Sequence, residues 1–216
     1  MKKPDTNPPN SGESLTVVPD RESRAVPRTR RIAPGTLTRY ALILGVAMIA
    51  AAWLWSLAFQ GHGLSAQFPR DQWPAELLTG ALAGGMFALA ALTLLDRVPS
   101  LKRIERLLTA WLDMPALRVH HAIIFGLLAG IPEEILFRGA LQPVLGLVIT
   151  SIIFGALHAI TWAYFVYATV AGVLLGVLAA GTGGLWAPVA AHTVIDVIMF
   201  LMLMCTWRRS HTVPSA

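Results

Sequence analysis

Beyond about Thr38 the chain alternates long apolar runs with short polar joints. The runs fall near 39–59, 74–95, 120–142, 145–161, 163–181 and 185–206. Each is close to the ~20 residues that cross the hydrocarbon core of a bilayer. The fourth and fifth have no polar loop between them, so their boundary is the least sharply marked. The pattern predicts an all-α fold, a multi-pass transmembrane helical bundle of about six membrane segments. Gly80/Gly84, Gly126/Gly130 and Gly172/Gly176 are GxxxG pairs, a spacing that lets helix backbones approach closely. The competing reading of such glycines is ordinary apolar filler.

Two stretches break the pattern. Residues 1–37 are rich in Pro, Ser, Thr and Arg and have almost no apolar periodicity. Such a segment cannot bury enough surface to fold alone, so a disordered N-terminal tail is expected. It lacks the early, short apolar region of a signal peptide. Its basic cluster, Arg28, Arg30 and Arg31, suits an anionic leaflet as well as plain solvation. Residues 100–112, SLKRIERLLTAWL, place Leu101, Ile104, Leu107, Leu108, Trp111 and Leu112 at helical spacing, with Lys102, Arg103 and Arg106 opposite. That is the pattern of an amphipathic helix lying in a membrane interface. The chain thus divides into a 1–37 tail, two membrane segments over 38–99, an interfacial connection over 100–118 and a membrane core over 119–207.

Composition agrees. Of 216 residues 55% are hydrophobic and 13% charged, and the mean hydropathy is +0.61. These are membrane-protein values. The formal charge of +5 invites a nucleic-acid reading. Its distribution argues for a bilayer instead. Residues 1–39 hold eight Lys and Arg, the 60–73 loop only Arg70, and the 96–120 connection five, with Arg208 and Arg209 after the last segment. The positive-inside rule then puts both termini and the 96–120 connection in the cytoplasm, with the protein in the cytoplasmic membrane. Cys205 is the only cysteine, so no intrachain disulfide forms.

Six ionisable residues remain deep in the apolar runs: Glu133, Glu134, Arg138, His158, His192 and Asp196. Insertion scales charge ~2.5–3.5 kcal/mol for an Arg or Asp at a helix centre. Such groups are tolerated when they face one another or water, so one shared polar site is expected. Glu134 and Arg138 share a helix face at i, i+4 and can form an ion pair. Glu133 lies about 100° away and can point elsewhere. His192 and Asp196 share a face, as do Phe154 and His158. At ~1.5 Å rise per residue, all of these reach the membrane interior. A glutamate in a low-dielectric site can act as general base toward water, one histidine sharing the proton. A second histidine, with an acid or amide, can stabilise an oxyanion. The same set, Glu133, His158 and His192, could instead ligate zinc. No HExxH is present, so the usual zinc-protease signature is missing.

EEILFR (Glu133, Glu134, Arg138) resembles the EExxxR motif of the CPBP family of intramembrane proteases, which includes the CAAX prenyl endopeptidases. FGALH (Phe154 to His158) resembles its FxxxH motif, and TGGLWAPVAAHTVID (Thr182 to Asp196) its third region, which ends in HxxxN or HxxxD. The resemblance covers about residues 120–200. It implies a catalytic set in which Glu133 activates water, His158 assists, His192 and Asp196 shape the oxyanion site, and Glu134 and Arg138 orient the first helix. Relatives often have Asn where this chain has Asp196. An ionised aspartate cannot donate a hydrogen bond, so orienting His192 is its expected role. The favoured mechanism uses no cofactor.

Two function classes follow. One is an intramembrane endopeptidase acting on a membrane-anchored protein or peptide. The other is a non-enzymatic membrane protein, such as an immunity factor, chaperone or transporter, that uses the same cluster for binding or proton movement.

Overall fold

The computed structural model describes residues 31–61, 63, 67–95 and 97–212. The first thirty residues of the expected tail, Arg28 and Arg30 included, lie outside that set. Helix α1 (Pro34–Phe59) starts with proline in its first turn, where a missing N–H costs nothing. It begins a few residues before the apolar run does. α2 (Trp73–Leu95) returns. α3 (Pro99–Trp111) is the amphipathic connection, with Lys102, Arg103 and Arg106 exposed and Ile104 buried. A 3₁₀ turn (Met114–Ala116) leads to α4 (Val119–Glu134). A π-helical stretch (Ile135–Leu141) and the short α5 (Gln142–Leu145) prolong α4. α6 (Leu147–Leu157), α7 (Trp162–Thr182) and α8 (Trp186–Thr212) complete the chain.

Among the described residues α1, α2, α7 and α8 are long and apolar enough to cross a membrane. The α4–π–α5 run has the length but carries Glu133, Glu134 and Arg138. The fourth segment corrects the expectation of six runs near twenty residues. α6 has 11 residues, ~16 Å at helical rise against a hydrocarbon core of ~30 Å. His158 ends it. The His158 amide turns back to Gly155 O at 3.1 Å in a tighter turn. The imidazole Nδ1 takes the Phe154 carbonyl instead, at 2.7 Å. The Thr161 hydroxyl then accepts from the Tyr164 amide and starts α7. Apolarity runs through this turn without interruption, which is why the sequence pattern blurs it.

Each GxxxG pair lies at a helix contact. A Cβ on Gly80 or Gly84 would strike the backbone of Ala187 or Ala191, so α2 and α8 lie side by side. Gly126 and Gly130 face Thr193 of α8, and Gly172 and Gly176 face Ser151 and Leu147 of α6. The turn into α6 needs Gly146, whose φ of +81° other residues rarely adopt.

One end of the bundle gathers Gln60 and the stretch 67–72 that leads into α2. Gln60 and Gln67 donate side-chain amides to Gly139 O there, at 3.2 and 2.7 Å; the residue four on from Gly139 is Pro143, which has no N–H to offer. Trp186 Nε1 donates to Pro69 O at 2.8 Å, so this tryptophan clamps the connection. The opposite end carries the basic residues of α3, Arg118 and Arg208. There Ile32 pairs with the chain just after α3, donating to Trp111 O at 2.7 Å. Leu112, Met114, Leu117, Phe125, Leu203 and Met204 form a buried cluster below it. Charge and apolar surface are thus segregated as in an integral membrane protein.

Candidate active site

The π-helix follows Glu134 directly, and such widened turns recur at functional sites. Glu133 and Glu134 leave the end of α4 in different directions. Glu134 is fully buried, and its Oε1 accepts from Arg138 Nη1 at 2.9 Å. Arg138 Nη2 reaches across to Gly172 O on α7 at 3.0 Å. Its guanidinium carbon lies 4.6 Å from the Phe154 ring centre. The i, i+4 pair is therefore present, and it also ties α4 to α7.

The same Glu134 Oε1 sits 2.6 Å from His192 Nδ1. A carboxylate oxygen accepts, so Nδ1 carries the proton. A carbonyl also only accepts, so His158 Nδ1 donates to Phe154 O in the same way. Nδ1 of each imidazole is thereby committed, and both Nε2 atoms face Glu133. His158 Nε2 is 3.7 Å and His192 Nε2 3.9 Å from Glu133 Oε2. That oxygen is buried and has no hydrogen-bond partner. The gaps are wider than direct hydrogen bonds and fit a molecule between them.

Asp196 Oδ2 is 3.8 Å from His192 Nε2, outside hydrogen-bond range. The side chain that orients His192 is Glu134, on a facing helix. The expected holding role of Asp196 is thus filled by Glu134, and Asp196 presents its carboxylate to the same space as Glu133.

Glu133, His158, His192 and Asp196 line one cavity of 310 Å³, and Glu134 and Arg138 lie just behind it. Phe154 is the aromatic hub, its ring 4.4 Å from His158 and 5.8 Å from His192 between centroids. Three contributors were not read from the sequence. α3 supplies Ile104, Glu105 and Leu108 to the cavity wall, so it does more than lie in an interface. Tyr164 and Tyr167 of α7 also line it. Met199 and Met202 of α8 do so too, whereas Met204 is core. The spacing of the two tyrosines from Thr161, a helix N-cap, was the available signal. His120 and His121 lie in the first turn of α4, outside the cavity lining, where His121 Nδ1 accepts from the Arg118 amide at 3.0 Å.

The unshared atoms facing one point are Glu133 Oε2, His158 Nε2 and His192 Nε2, the same residues that would serve zinc. A tetrahedral zinc with bonds near 2.0–2.2 Å sets its ligand atoms about 3.4 Å apart. The gaps here are wider, and among the described residues no three such side chains form a metal cage.

A half-buried carboxylate and two imidazoles with oriented rings, set between apolar helices, define a polar site inside the bundle. Residues 115–198 match the family model described as type II CAAX prenyl endopeptidase Rce1-like. The match covers the core from just before α4 into α8 and agrees with the resemblance of its motifs to the CPBP family. The chain is also similar to the uncharacterized protein YpbD of Bacillus subtilis (strain 168), 41% identical over 83 residues. That match covers 37% of this chain and 44% of YpbD, so less than half of the relative's length is spanned. No solved structure matches.

Proposed function

We propose that the protein is an intramembrane endopeptidase that hydrolyses a peptide bond of a membrane-associated protein or peptide with water activated by Glu133. The observation that carries this reading is the unpartnered Glu133 Oε2 with two imidazole Nε2 atoms 3.7 and 3.9 Å away. A water in that gap gives one proton to Glu133, with His158 Nε2 accepting a hydrogen bond from its other O–H. Its oxygen attacks the scissile carbonyl carbon, and the carbonyl π pair moves onto oxygen. His192, paired with Glu134, sustains an imidazolium whose Nε2–H donates to that oxyanion. When the C–N bond breaks, its electrons stay on nitrogen, which takes the proton from Glu133. No step needs a metal.

Charge asymmetry favours the cytoplasmic membrane, with the basic end inside. The family description names prenylated CAAX tails, so a farnesylated CAAX peptide is the first substrate to try.

Glu133→Gln keeps the shape of the side chain and removes the base. In vesicles, with equal protein loaded, it should lower turnover by ~10²–10⁴-fold. Wild-type cleavage should survive strong chelation. Full activity of the variant would sink the water-activation reading. Loss of wild-type activity on chelation, restored by zinc, would replace it with a metal mechanism.

A further inference from the structure

An oxyanion formed in this cavity needs hydrogen-bond donors, and the lining offers few. Among the cavity-lining residues there is no Lys, Arg, Asn, Gln, Ser, Thr or Trp. His158 Nδ1 is committed to Phe154 O and His192 Nδ1 to Glu134. Asp196 stands 3.8 Å from His192 Nε2, and as a carboxylate it only accepts. One donor, His192 Nε2, is left from the motif residues. The remaining side-chain O–H groups of the cavity belong to Tyr164 and Tyr167.

Their placement is specific. Tyr164 lies one turn into α7, just past the Thr161 cap that ends the His158 turn. Its ring stands edge-on to His158, 6.4 Å between centroids. It lines the same cavity as Asp196 and Glu133. Tyr167 stacks beneath it at 5.8 Å and in turn packs on Phe87 of α2 at 5.4 Å. The Tyr167 hydroxyl is buried and has no partner. An aromatic stack from α2 through α7 therefore fixes the Tyr164 ring beside the reacting groups. A fixed, neutral O–H in a low-dielectric cavity is well suited to a developing oxyanion, since nothing must reorganise when charge appears.

We propose that Tyr164 is a catalytic residue of this protein, donating its phenolic hydrogen to the oxyanion opposite His192 and supplying the donor that Asp196 cannot. The proposal rests on the hydrolase reading above. Tyr167 acts as a positioning residue that holds the Tyr164 ring.

The test uses the full chain in lipid vesicles with a library of internally quenched peptides, some of them farnesylated. Tyr164→Phe should lower kcat by about 10²–10³-fold, as loss of an oxyanion donor does, with KM changed less than about twofold. Asp196→Asn in that background should recover at least about tenfold, because an amide restores a donor. Fluorinated tyrosine at position 164 keeps the fold and makes the phenol more acidic, so the high-pH limb of the kcat profile should move to lower pH. A purely structural tyrosine would leave that limb in place. Wild-type kcat in Tyr164→Phe, or an unmoved limb with fluorotyrosine, overturns the assignment. A larger loss in Tyr167→Phe than in Tyr164→Phe overturns it as well. Glu133→Gln separates the two levels. If Glu133→Gln is inactive and Tyr164→Phe fully active, the tyrosine assignment alone fails. If Glu133→Gln matches the wild type, the hydrolase reading fails first.

Discussion

Glu134 has two partners on one oxygen, and they put the charges in order. Arg138 and Glu134 have fully buried side chains, so neither can fall back on water. Removing one member of a buried pair typically costs ~3–5 kcal/mol, because the other charge is stranded. Arg138→Ala should therefore lower the thermal midpoint of the purified protein together with its activity. Arg138→Lys should not rescue it, since an ammonium cannot bond Glu134 and Gly172 O with the fixed fork of a guanidinium. An unchanged midpoint in Arg138→Ala would show that Glu134 needs no partner. The ion pair was legible in the sequence, because i, i+4 spacing fixes neighbours on a helix face. The bond from Glu134 to His192 was not. It joins residues 58 apart, and spacing within one helix says nothing about the facing one. Spacing within α8 points only to Asp196, the nearest acid on the same helix as His192.

At the scale of elements, glycine decides how closely α2 and α8 lie. A Cβ on Gly84 would meet the backbone of Ala191, which has no soft side chain to move. Gly84→Leu should push the two helices apart and lower the thermal midpoint or the yield of monodisperse protein. Gly85→Ala is its control, since nothing lies within 4 Å of a Cβ there. Equal stability of the two variants would show that the close contact is dispensable. The GxxxG spacing revealed these approaches in advance, and the amphipathic pattern of α3 revealed its buried Ile104. The π-helix and the early stop of α6 were hidden. The first is met at Gly139 O by side-chain donors from Gln60 and Gln67, which lie far off in the chain. The second depends on an imidazole replacing an amide at one carbonyl, inside a run that stays apolar throughout.

At the scale of the molecule, basic residues crowd one end, and Gln60 and residues 67–72 sit at the other. With Cys205 replaced by serine, single cysteines at Gln72 and Ser210 should react with an impermeant maleimide from opposite faces of sealed vesicles. Labelling of both from one face would overturn the topology. The half-length of α6 bears on the bilayer itself. Val148, Ile149, Ile152 and Leu157 of this helix are exposed, so they form a lipid-facing strip far shorter than the hydrocarbon it must match. Acyl chains beside such a strip shorten their reach, and headgroups and water dip toward the His158 turn. The surrounding lipid then becomes part of the route by which a polar backbone arrives at Glu133. On this view turnover depends on acyl-chain length, faster in thin bilayers and slower in thick ones. A rate indifferent to lipid length across a vesicle series would remove the bilayer from that route.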